Sequence, residues 1–128
     1  MKKATVSSLK KKLDKTFSEY IRLRDNYTCF TCGKRMEKQF SQNGHFVPRQ
    51  FNSTRYDERN NNCQCYACNM LYNGQPDIYA LNLEKKYGRG IVKKLNTLRK
   101  QVKQFSIPEL EQLIALYKQK FVDLLQKL

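Results

Sequence analysis

Two CxxC pairs constrain this chain more than any other feature. Cys29-Phe30-Thr31-Cys32 runs straight into Gly33-Lys34, and Cys65-Tyr66-Ala67-Cys68 follows after the thirty-two residues 33–64. Two residues between cysteines let both thiolates face one point, and a glycine just behind them lets the backbone turn tightly. Two such pairs complete a tetrahedral four-sulfur site, so one structural Zn²⁺ per chain is expected on Cys29, Cys32, Cys65 and Cys68. Any fold must therefore bring residues 29–32 against 65–68, with the segment between them leaving and returning. Disulfides fit poorly, because five cysteines leave one odd. That odd one is Cys63. Alternate ligation through Cys63 and Cys65, which share a face two apart on a strand, stays open. The expectation is a small buried hydrophobe.

Charge is the next constraint. The 128-residue chain carries a formal net charge of +14, divided as +6 over residues 1–24, +1 over 25–83 and +7 over 84–128. A nearly neutral centre flanked by two basic arms attracts a polyanion, since each neutralised phosphate releases counterions. An anionic membrane surface is the competing partner, but no stretch approaches the ~20 apolar residues that span a bilayer. The basic start MKKATVSSLKKKLD lacks an apolar signal-peptide region. The expected location is the cytoplasm, where cysteines serve more often as metal ligands than as disulfides.

One domain is expected, in three parts: a basic N-terminal helix over 1–26, a zinc core over 27–75 and C-terminal helices over 76–128. Leu9, Leu13, Phe17 and Ile21 recur at four-residue spacing and predict an amphipathic helix from about Ser7 to Asp25. Residues 27–66 lack that period and read as knuckles, short strands and a loop. Asn43-Gly44 signals a turn before a strand-like His45-Phe46-Val47 that Pro48 stops. The second knuckle should lead into a helix starting near Cys68, with Asn69 in its first turn. Pro76 suits the first turn of a helix ending at Tyr87-Gly88. A further helix should carry Ile91, Leu95, Leu98 and Val102 on one face. Ser106 and Glu109 match a capping box that opens a last helix with the stripe Leu110, Leu113, Tyr117, Phe121, Leu124 and Leu128.

The single histidine, His45, lies between the knuckles, fifteen residues before Asn60, and Asn69 directly follows Cys68. In register with a double CxxC, that order resembles the HNH pattern of the His-Me finger (ββα-metal) nucleases, in the variant whose last His is Asn. CFTCGK, GHFVPRQFNSTRYDERN, CYACN and YALNLEKKYGRG together resemble the phage NinG/Rap recombination endonuclease family, over roughly Tyr20 to Gly90. The resemblance implies an α+β fold, with a zinc-stabilised, HNH or treble-clef-like ββα-metal core flanked by helices. It also implies a phage or prophage protein in a bacterial host that cuts branched DNA such as Holliday junctions and D-loops. His45 would be the general base, Asn69 a ligand of catalytic Mg²⁺ or Mn²⁺, and Asn60 the residue that orients the histidine loop.

Phosphodiester hydrolysis needs an activated water, a cation at the phosphate oxygens and positive clamps. Neutral imidazole suits the first task, a carboxamide oxygen the second, and Arg49 and Arg55 the third. The competing reading pairs either arginine with Asp57 or Glu58. Many HNH nucleases place Asp directly before the catalytic His. Here that residue is Gly44, preceded by Asn43, so either one protein ligand suffices or Asn43, Asp57 or Glu58 folds back to help. Symmetric junction cleavage would suit a homodimer with the last helix as its interface. A zinc-stabilised nucleic-acid-binding module without chemistry, and a protein-interaction module built on the C-terminal helices, are the alternatives.

Overall fold

The computed structural model describes residues 3–128; the first two residues of the basic N-terminal arm lie outside it. Helix α1 spans Val6–Arg24 and opens on a capping box, in which the Thr5 hydroxyl accepts from the Ser8 backbone N–H and the Thr5 N–H donates to the Ser8 hydroxyl. Strand β1 is Ser41–His45, α2 is the short Asn52–Arg55, and β2 is Asn61–Cys65. A single π-helical turn over Ala67–Leu71 follows, then α3 (Pro76–Tyr87), α4 (Ile91–Leu98) and α5 (Ile107–Gln126). The class is α+β: a two-stranded antiparallel sheet, helices at both ends and a cluster of four cysteines.

Periodicity located the helices well. The α1 stripe Leu9, Leu13, Phe17 and Ile21 is buried against Leu110, Ile114 and Tyr117 of α5. Ser106 and Glu109 exchange both bonds of the α5 capping box. Gly88 ends α3 at φ 93°, the left-handed region that glycine enters freely. A second cluster gathers Val47 with Tyr79, Leu83, Ile91 and Leu95. Two ends of the anticipated stripes fail: Val102 lies beyond α4 and is exposed, and Leu128 lies beyond α5 and is exposed as well.

The sheet corrects the sequence at Asn43-Gly44. These residues form no turn; they sit inside β1, in a ladder that pairs Asn43 with Cys63, Gly44 with Asn62 and His45 with Asn61. Gly44 is there for space. A Cβ at that position would lie 1.9 Å from Gln64 Oε1, and Gln64 is fully buried. The strand stops at His45, and the Phe46 N–H instead reaches the Asn60 carbonyl at 3.0 Å. The helix expected near Cys68 is also only one turn long. Asn73, Gly74 and Gln75 all adopt positive φ and break the chain before α3 begins.

Candidate functional site

The Sγ atoms of Cys29, Cys32, Cys65 and Cys68 all lie within 4.8 Å of one another. Cys32 and Cys65 are 3.8 Å apart, the edge that a tetrahedron with Zn–S bonds of ~2.3 Å requires. Each knuckle turns a backbone N–H onto its first sulfur: Cys32 N–H to Cys29 at 3.5 Å and Cys68 N–H to Cys65 at 3.4 Å. Gly33, at φ 78°, closes the first knuckle by donating to the Cys29 carbonyl. Burial raises the Cys29 thiol, but hydrogen bonds from the Thr31 hydroxyl and neighbouring backbone outweigh it and bring it down to about 6. Burial pushes Cys68 up to about 12. A cation bound among the four sulfurs would hold them as thiolates. The cluster fits Zn²⁺. Cys63 is fully buried, stands outside the cluster of four, and is pushed up to about 12 by burial.

Beside this scaffold is a cleft of about 370 Å³ whose lining includes Asp14, Arg22, Asn43, His45, Arg49 and Asn69. His45 enters from the end of β1. Burial drives its imidazole down to about 4; Asp14 opposes the shift, Arg49 and Arg55 assist it, and a backbone hydrogen bond with Arg55 opposes it. The ring is therefore neutral at pH 7. Asn43, two residues back along the strand, shares its face. The Asn43 Nδ2 donates to Asn61 Oδ1 at 3.0 Å, while its Oδ1 is buried without a hydrogen-bond partner. Asn69, in the π-helical turn, donates its Nδ2 to Gln42 Oε1 at 2.7 Å, which leaves its own Oδ1 as the free acceptor. Arg49 is exposed and makes no ion pair among the described residues.

Asn60 stands behind the cleft, fully buried. Its Oδ1 accepts from the Val47 N–H at 2.7 Å, and its Nδ2 donates to the Val47 carbonyl at 3.0 Å and the Thr54 carbonyl at 3.2 Å. One carboxamide thus fixes the backbone two residues past His45. Asn61 and Asn62, which the sequence did not single out, are equally buried. Asn61 Nδ2 donates to the Arg55 and Asp57 carbonyls, and Asn62 Nδ2 donates to the Tyr79 hydroxyl. The asparagine run is structural cement for a stretch with few apolar side chains.

Two expectations about acids and arginines change. Arg55 pairs with neither Asp57 nor Glu58. Its Nε donates to Asp14 Oδ1 at 3.0 Å and its Nη2 to Asp14 Oδ2, so it lines a neighbouring groove and not the His45 cleft. Asp57 is occupied by Arg59. Glu58 accepts from Tyr20, Tyr117 and Lys120. Neither acid lines the cleft. The carboxylate that does is Asp14, from α1, and its only trace in the sequence is an acid set among Lys10–Lys12 and Lys15. The neighbouring groove, about 550 Å³, shares Asp14 and Arg49 with the cleft and adds Lys10, Lys11 and Arg55.

No helix among the described residues is long and apolar enough to cross a membrane. The family model described as Bacteriophage Lambda NinG protein matches residues 1–127. No curated protein and no solved structure matches the chain.

Proposed function

Since the chain belongs to the NinG family, we propose that it is a metal-dependent endonuclease of HNH type that hydrolyses phosphodiesters in branched DNA, with His45 as general base. The observation that carries this reading is one neutral imidazole in an open cleft, beside a free carboxamide oxygen and an unpaired arginine. A histidine held near 4 is wholly in its proton-accepting form at pH 7. It can take the proton of a water attacking phosphorus. Arg49, exposed at the rim, offers a guanidinium fork to the phosphate. Asn60 keeps the His45 loop in place from behind, a positional role.

The cleft also holds oxygen donors of the kind that hard divalent cations accept. Asn43 Oδ1 is orphaned and buried, and Asn69 Oδ1 is free. Mg²⁺ or Mn²⁺ bound there would neutralise charge on the phosphate oxygens and the leaving oxygen. Zn²⁺ on the four cysteines would only hold the scaffold. Grip on the flanking duplexes falls to the lysines, which meet phosphates without reading sequence.

The test is single-turnover cleavage of a labelled four-way junction by wild type and His45→Ala, beside a binding assay on the same DNA. The variant should bind and keep its zinc, yet cut roughly 10²–10⁴-fold more slowly. If it cuts at the wild-type rate, His45 is no base, and a zinc-stabilised DNA-binding module becomes the better account.

A further inference from the structure

The HNH reading lacks a partner for its cation at the position where many such nucleases carry an aspartate, directly before the histidine. Gly44 occupies it, and any Cβ there would have to displace the buried Gln64 side chain. Asp57 and Glu58, the nearby acids in sequence, are taken up by Arg59 and by the Tyr20, Tyr117 and Lys120 group. One carboxylate does line the cleft with His45, Asn43 and Asn69: Asp14.

Resting on the nuclease reading above, we propose that Asp14 of α1 supplies the anionic ligand of the divalent cation, completing an oxygen donor set with Asn43 and Asn69. Two amides alone bring no charge to balance a doubly charged ion, and a carboxylate supplies it. Asp14 is also held as a metal-ligating carboxylate is usually held. Oδ1 accepts from Arg55 Nε at 3.0 Å and from the Tyr56 hydroxyl at 2.9 Å, and Oδ2 accepts from Arg55 Nη2. Such outer partners fix the orientation of a ligand; here they fill both lone pairs of Oδ1 and leave one on Oδ2 for the cation. The catalytic site is then split between two parts of the chain. The knuckle segment brings the base and the amides, and the N-terminal helix brings the charge.

The alternative role for Asp14 is to neutralise Arg55 and nothing more, and the two roles separate by variant. Zinc-loaded full-length protein is titrated with Mn²⁺, and two signals are read. One is the paramagnetic broadening of the ring protons of His45, the single histidine; the other is the free Mn²⁺ spectrum by electron paramagnetic resonance. Zinc content and melting temperature are recorded for wild type, Asp14→Asn, Asp14→Glu and Arg55→Met. If Asp14 is a ligand, Asp14→Asn weakens Mn²⁺ binding by at least about tenfold, since loss of a mere outer partner already costs that much. Asp14→Glu retains part of the affinity. Arg55→Met loses less than Asp14→Asn, because an orienting partner and a competing positive charge go together. If Asp14→Asn titrates like wild type, or Arg55→Met loses binding in step with it, the assignment is overturned while the nuclease reading stands. Should the wild-type His45 signals stay sharp throughout, both the assignment and the cation-dependent reading fall.

Discussion

Replacing Gly44 with alanine adds one methyl group and should cost more than most substitutions in this chain. The new Cβ would stand 1.9 Å from Gln64 Oε1, 2.7 Å from its Cδ and 2.9 Å from its Cγ. Contacts that short cannot be absorbed, so Gln64 must move. It is fully buried and donates its Nε2 to Thr31 Oγ1 at 3.0 Å and to the Gly74 carbonyl at 2.9 Å. Two hydrogen bonds at about 1 kcal/mol each are lost, with an overpacking cost of about 1–3 kcal/mol added. The expected destabilisation is about 3–5 kcal/mol, on the order of 10–20 °C in melting temperature for a chain of this size. Urea unfolding of zinc-loaded wild type, Gly44→Ala, Gln64→Ala and the double variant measures it. With the obstruction removed, the double variant should match Gln64→Ala alone, which makes the two changes strongly non-additive. Strict additivity, or a Gly44→Ala protein within about 0.5 kcal/mol of wild type, would refute the steric account and with it the reason for looking beyond Gly44 for an acid.

Metal analysis should find one zinc per chain; Ser at Cys29, Cys32, Cys65 or Cys68 should release it and unfold the centre, whereas Cys63→Ser should keep it, because Cys63 lies outside the cluster. The His45 imidazole should make the fold acid-sensitive. Above its ordinary 6.5 both folded and unfolded states are neutral; from 6.5 down to about 4 only the unfolded chain takes the proton. Stability should therefore fall by about 3 kcal/mol across that window and level off below it. Chemical denaturation of wild type against His45→Gln isolates this loss from the acid lability of the zinc site, and equal pH profiles for the two would sink it. Neutralising Lys10 and Lys11, which line the groove beside the cleft, should weaken binding to all DNA alike and flatten its salt dependence by about one slope unit per lost phosphate contact. Lys12, which lines a different surface depression with Glu111 and Lys118, should matter less in the same titration.

The parts of the fold that announce themselves in sequence are those with a repeating physical demand. Apolar residues every four positions placed α1, a serine three residues before a glutamate opened α5, and paired CxxC motifs brought residues 29–32 to 65–68. What failed depended on partners distant in the chain. Asn43-Gly44 carries the local chemistry of a turn, but a strand opposite and a buried Gln64 side chain turn it into ladder. Val102 continues a helical period in a stretch where no helix continues. Asp14 looked like one acid on a basic helix, because nothing local shows that its side chain borders the same cleft as His45, thirty-one residues later. His45 and Asn69 were singled out by the order of a motif and Arg49 by its place in the loop after His45, and all three line one cleft.

The seating of α1 carries a consequence for the order in which the protein can assemble. The buried residues that cover its apolar stripe are Leu110, Ile114 and Tyr117 of α5, nearly a hundred residues downstream, while Tyr56 adds an edge contact to Phe17. A contact of such sequence separation closes late, because the chain between must be confined first. On the ribosome, residues 107–126 must be made and released before that cover is in place; until then α1 can use only the contacts that Arg55, Tyr56 and Glu58 offer it. The four cysteines that could hold zinc can gather much earlier, since they need only residues up to Cys68. A growing chain thus assembles its cysteine cluster and its histidine first. The wall bearing Asp14, Phe17, Ser18 and Arg22 gains its full apolar backing only when the far helix arrives.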